Sequence, residues 1–178
     1  MQFITLPDLG YLYQRFDYDP ASGELRWKAK QGCDRETNRW NAKHAGKIAG
    51  SINILGHRTV HLDSVQYYAH RIIWYMMTGN SPPEEIDHKN GKYADNRWEN
   101  LRLANRSQQR HNIGKRRNNT SGYIGVSWSH DHQKWFAQIV IEGRRVKRGY
   151  FDTPEEAAEI YRRIAQARHG EFIHPSLL

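Results

Sequence analysis

The stretch Val65 to Thr78, VQYYAHRIIWYMMT, is apolar on most of its sides, and a helix of that composition has to be buried. Gly79 stands just past its end, the position where glycine closes a helix, and Pro82 blocks any continuation. Ile72, Ile73, Met76 and Met77 are therefore expected in the core. His70 has no acidic residue at helical spacing and reads as a hydrogen-bonded structural histidine, while Arg71 suits either a carboxylate or a phosphate. The preceding residues alternate short apolar pieces with turn signals. Asp19-Pro20-Ala21-Ser22-Gly23 is a turn, and Glu24 to Lys28 alternates polar and apolar as a half-buried strand does. Residues 29–47 read as a polar loop holding Arg35, Arg39, Trp40, Lys43 and Lys47, either a solvated surface or a track for DNA. Strands near Ala45 to Asn53 and His57 to Leu62 complete a small antiparallel meander.

The stretch after the helix, Ile86 to Asn112, is poor core material: only Ile86, Trp98, Leu101 and Leu103 can anchor it. It sets Asp87 beside His88 and spreads Asn90, Asn96 and Asn100 over the following turns. Asn90-Gly91 reads as a tight turn and Asp95-Asn96-Arg97 as a loop closure, both architectural. No acidic residue falls between Glu99 and Asp131, whereas Arg102, Arg106, Arg110, Lys115, Arg116 and Arg117 all do. Unopposed cations in such a run repel one another unless they lie along phosphates. The net charge of +8 agrees with a polyanionic partner, most simply nucleic acid.

No apolar run reaches the 18 or so residues of a membrane span, and Met1 to Gly10 lacks the character of a signal peptide. An intracellular protein with no membrane partner is expected. Cys33 is the sole cysteine, so no intramolecular disulfide and no Cys-based structural zinc site is expected. Any metal must be held by oxygen and imidazole.

Gly114 to Gly122 reads as a basic linker, dividing the chain into residues 1–113, 114–122 and 123–178. The last part holds three strands, Tyr123 to Trp128, Lys134 to Ile141 and Arg145 to Phe151. Thr153-Pro154-Glu155-Glu156 then opens a helix with an N-cap threonine, proline at the first position and a glutamate completing a capping box. Its stripe of Ala157, Ala158, Tyr161, Ile164 and Ala165 suits the packing face of the sheet. The open face carries Lys134, Arg145 and Lys147. The fold class expected is α+β: a β-meander and helix, a polar central motif, then a three-stranded antiparallel sheet on one helix.

Two resemblances follow from these residues. AHR, IDHKNGKYADNR and ENLRLANRSQQRHN, from Ala69 to Asn112, resemble an HNH nuclease of the phage and intron homing-endonuclease type. Residues 121–173, with Gly-Val, Lys-Trp-x-Ala-x-Ile and Gly-x-Phe-x-Thr-x-Glu-Glu-Ala-Ala, are similar to the DNA-binding domain of the plant ethylene-response-factor (Apetala-two) family. The first implies a ββα-metal motif around one divalent cation, Mg²⁺ or Mn²⁺. His88 would be the general base, Asp87 a metal ligand, and Asn100 the residue that orients the histidine or braces the loop. The second ligand position lands on Gln109, where the family has Asn; Asn112 or His111 are alternatives, and a weakened or inactive site is another. The second resemblance implies that an open sheet face enters the major groove of double-stranded DNA, with Ser127, Ser129, Gln138, Val140, Arg145 and Lys147 at the matching positions. The activity implied is hydrolysis of phosphodiester bonds in duplex DNA without a small-molecule cofactor. One cutting centre per chain means a nick from a monomer unless the protein dimerises. The alternative is a DNA-binding regulator with a dead nuclease core.

Overall fold

The computed structural model describes residues 4–82, 85–105, 108–109, 112, 114–115, 117–141 and 143–178. They form two compact units, residues 1–105 and 106–178.

In the first unit, helix α1 (Leu9–Arg15) begins at Asp8, whose carboxylate accepts from the Gly10 and Tyr11 amides. Strands β1 (Phe16–Asp19) and β2 (Glu24–Trp27) make a hairpin around the predicted turn. The segment read as a basic loop contains helix α2 (Arg35–His44), capped by Asp34 through the Thr37 amide. No residue of α2 is buried, so it has no apolar period to read; the cap and the stacking of Trp40 edge-on to Trp27 at 5.5 Å hold it. Strands β3 (Ser51–Ile52), β4 (Arg58–Leu62) and β5 (Val65–Tyr68) form a meander in the order β3-β4-β5.

Helix α3 (Ala69–Thr78) starts four residues later than its apolar composition suggested. Asp63 and Ser64 both take positive φ, the geometry of a two-residue hairpin turn, and this folds Val65 to Tyr68 back onto β4 as a strand. Gly79 ends the helix at φ 71°. Leu12, Phe16, Leu25, Val60 and Leu62 pack in one cluster with Ile72 and Ile73 of α3, all seven at most 2% exposed. Each such side chain contributes roughly 1.5–3 kcal/mol of burial free energy. Strands β6 (Glu85–His88) and β7 (Leu101–Ala104) form an antiparallel ribbon joined to this core through Ile86 and Leu101.

The second unit is α+β as expected. Strands β8 (Val126–Ser129), β9 (Lys134–Ile141) and β10 (Arg144–Phe151) pair antiparallel with β9 central. Helix α4 (Pro154–His169) carries the capping box between Thr153 and Glu156. Ala165 of α4 and Ile139 of β9 pack with Ile173 and Leu177, which two short 3₁₀ turns after the helix bring in. Gly125 lies against the Tyr161 ring: a Cβ there would sit 2.0 Å from its Cε2. Among the described residues no helix is long and apolar enough to cross a membrane.

Candidate functional site

His88 ends β6 and is 1% exposed. Its Nε2 lies 2.9 Å from Asn96 Oδ1. An amide oxygen only accepts, so Nε2 carries the proton and Nδ1 the lone pair. Burial lowers the His88 pKa below the usual imidazole value, opposed by the Asn96 bond and by the charges of Asp87 and Asp95. The ring is thus neutral at physiological pH, as a base or a metal ligand must be.

Asn100, on the 3₁₀ turn before β7, braces the loop after β6. Its Nδ2 donates to Asp95 O at 2.7 Å and its Oδ1 accepts from the Asn90 amide at 3.0 Å. Asp95 is held down to about pKa 2, first by its hydrogen bonds from Arg97, and also accepts from Asn90 Nδ2 at 2.7 Å. Of the two functions the sequence left open for Asn100, these bonds belong to bracing; the residue touching the histidine is Asn96. The sequence marked Asn96 as architectural, and the only signal for more was its place in the turn facing Asp-His.

Asn96 is itself held from outside the motif. Tyr18 Oη donates to Asn96 O at 2.8 Å, and the Trp98 amide donates to Pro20 O at 3.1 Å. A Cβ on Gly23 would fall 2.4 Å from the Arg97 nitrogen, so the β1–β2 hairpin touches this backbone directly.

Asp87 precedes His88 and, by strand alternation, projects to the other face of the ribbon. Arg102 is its cross-strand partner and donates to Asp87 Oδ2 through Nε at 2.9 Å and Nη2 at 2.7 Å. The side chains are 3% and 9% exposed. Arg102 was placed on a phosphate track by its neighbours in sequence, yet its guanidinium is buried against a carboxylate.

Two further histidines converge on His88. His57, in the turn before β4, and His70, second residue of α3, each bring a ring nitrogen to within 4.8 Å of the others in the trio. Ring centroids are 5.2 Å apart for His70 and His88 and 6.0 Å for His57 and His88. Desolvation lowers the pKa of His57 and lowers that of His70 well below the usual value. Where a hydrogen-bonded structural histidine was expected, His70 Nδ1 is buried without a hydrogen-bond partner among the described residues, and the Tyr68 and His88 rings lie against it. Sequence reading missed the trio, whose members come from three elements far apart in the chain.

The remaining predicted residues belong to the second unit. Gln109 carries helical backbone and is partly exposed; Asn112 is buried. Arg106, Arg110, His111 and Arg116 lie outside the described residues. Lys115, Gln138 and Arg145 line one cleft together with Asn118 and Ser127, and Arg117 is exposed. Lys134 pairs with Asp152 at 3.1 Å, and Lys147 Nζ sits 4.7 Å from the centroid of Phe136, which is buried on the face that carries these cations.

Residues 67–111 match the family model described as HNH endonuclease. Over 104 residues the chain is 33% identical to Protein 3.8 of Escherichia phage T7, covering 58% of this chain and 85% of that protein. No solved structure matches the chain.

Proposed function

The chain belongs to the family of phage T7 Protein 3.8 and carries an HNH endonuclease domain, and from that premise we propose that it is a metal-dependent DNA endonuclease of the homing type. It hydrolyses phosphodiester bonds in duplex DNA, acting inside a bacterial or phage-infected cell. The observation that carries this reading is His88: neutral, buried and fixed by Asn96 within the matched segment.

His88 Nδ1 takes the proton from the attacking water, and Asn96 keeps the ring from turning as the imidazolium forms. A divalent cation, Mg²⁺ or Mn²⁺, supplies charge stabilisation on the phosphate and the leaving 3′ oxygen when bound. By resemblance to the HNH nucleases, the Asp87 carboxylate would be one ligand and an amide oxygen at Gln109, or Asn112 or His111 in its place, the other. Arg102 neutralises the Asp87 carboxylate where it is buried. Asn100 holds the loop that presents Asn96.

The second unit docks the enzyme on duplex DNA through Lys115, Gln138, Arg145 and Lys147, in the manner of the ethylene-response-factor domain it resembles, with Lys134 at the margin of the same face. Arg106, Arg110, Arg116 and Arg117 add phosphate contacts. Each chain cuts one strand, so a monomer nicks and a dimer cuts both. Incubating supercoiled plasmid with Mg²⁺, Mn²⁺ or EDTA tests the proposal. Nicking that needs the metal and is lost in His88→Ala is expected, and cleavage that survives His88→Ala refutes the mechanism. DNA binding without cleavage in any metal would establish the regulator instead, a reading favoured by the engagement of Asp87 with Arg102.

A further inference from the structure

We propose that His57, His70 and His88 form a binding site for one transition-metal ion of the imidazole-preferring class, Zn²⁺ or Co²⁺, distinct from the hard-oxygen site assigned to Mg²⁺ or Mn²⁺. One nitrogen from each ring already lies within 4.8 Å of the other two. Around a tetrahedral ion with metal–nitrogen bonds of about 2.0–2.1 Å, ligand nitrogens stand roughly 3.4 Å apart. The rings therefore need to close by up to about 1.4 Å, about the scale of a rotamer adjustment. His57 can make that move, because it is only half-buried and sits in a turn.

The second observation is the state of the ring nitrogens. His57 Nδ1 and His70 Nδ1 are both buried and lack a hydrogen-bond partner among the described residues. His70 is 6% exposed. An unmet polar atom in a desolvated site is costly, and a cation bound to the rings removes that cost. His88 has the outer-shell partner expected of a metal ligand: one ring nitrogen bonds Asn96 Oδ1, which fixes the tautomer.

The walls hold the ring planes. Tyr93 stacks on His57 at 4.3 Å and 18°, and Tyr68 stacks on His70 at 5.3 Å and 19°. The donor set is all imidazole with no carboxylate, which selects against Mg²⁺ and Ca²⁺. An ion held here occupies the His88 lone pair, so Zn²⁺ inhibits the cleavage that Mg²⁺ supports. That consequence rests on the nuclease reading; the site itself does not.

The test is a Co²⁺ titration of the metal-free full-length chain, without DNA, followed by visible d–d absorption and then displaced by Zn²⁺. One equivalent of bound Co²⁺ is expected, insensitive to a large excess of Mg²⁺. His57→Phe keeps a ring against Tyr93 but removes the ligand, and should weaken binding by more than about 100-fold. His57→Gln, at the same half-exposed position, is the second variant if the first misfolds, with far-UV circular dichroism as the control. Zn²⁺ should raise the melting temperature of the wild type and not of either variant. Absence of a Co²⁺ spectrum in the wild type, or equal affinity in a folded His57 variant, overturns the site. Failure of plasmid cleavage in Mg²⁺ bears on the nuclease reading alone.

Discussion

Replacing Arg102 by Met would remove the guanidinium that bonds Asp87 twice at 2.7–2.9 Å while leaving the carboxylate buried. Because the two side chains are 3% and 9% exposed, the carboxylate cannot recover its hydration without opening the ribbon. Breaking a buried pair in this way costs about 3–5 kcal/mol, against at most about 1 kcal/mol for a surface pair. In a unit of this size each kcal/mol moves the melting midpoint by roughly 4–8 °C, so a fall of at least about 12 °C is expected. The double variant Asp87→Leu with Arg102→Met removes both charges and should recover most of that loss, since an apolar replacement of a buried pair is often neutral. Urea unfolding followed by tryptophan fluorescence reports on the right unit, because Trp27, Trp40, Trp74 and Trp98 lie in it, four of the six in the chain. A single-variant loss under 1 kcal/mol, or a double variant as unstable as the single, would refute the buried pair.

Asn96→Ala removes the acceptor for His88 Nε2 and should slow cleavage by roughly 10–100-fold, with DNA affinity unchanged in a mobility-shift assay. In EDTA, stability should be fully present above about pH 6.5 and fall below it, by up to about 1.4 kcal/mol per pH unit for each histidine that the unfolded chain protonates and the fold keeps neutral. His70 and His88, both with lowered pKa, set that window, and a flat urea midpoint between pH 7 and 5 would contradict it. Gly125→Ala places a Cβ 2.0 Å from the Tyr161 ring at a φ of +72° and should unfold the second unit, read as loss of the Trp128 and Trp135 near-ultraviolet signal. Arg145→Gln and Lys147→Gln should each lower the slope of log K against log salt for duplex binding by about 0.9 if each meets a phosphate.

Elements encoded by local rules were legible. The capping box at Thr153 and Glu156, the close of α3 at Gly79 and the turn at Asn90-Gly91 each need only a few adjacent residues. Helix α2 was not, because a helix with no buried face leaves no periodic trace. The start of α3 was misplaced since Val65 to Tyr68 suits a buried helix or a strand equally, and the decision lies in the positive-φ pair at Asp63 and Ser64. At the site, Asp87 and His88 stood out by type and adjacency. The meeting of His57, His70 and His88 did not, because it exists only once a turn, a helix and a ribbon are packed together. For the same reason Arg102 passed as one cation in a run until its strand register set it opposite Asp87.

The β1–β2 hairpin lies wholly outside residues 67–111, yet it grips the backbone that carries Asn96 through Tyr18, Pro20 and Gly23. The matched segment is therefore not a portable cassette. Grafted elsewhere or cut out at residue 67, it keeps every residue of its motif but loses the brace that aims one of them. On the proposed nuclease function, selection for cleavage reaches back to a turn more than 60 residues upstream of His88, and a Cβ on Gly23 would disturb the site by its close approach to the Arg97 backbone.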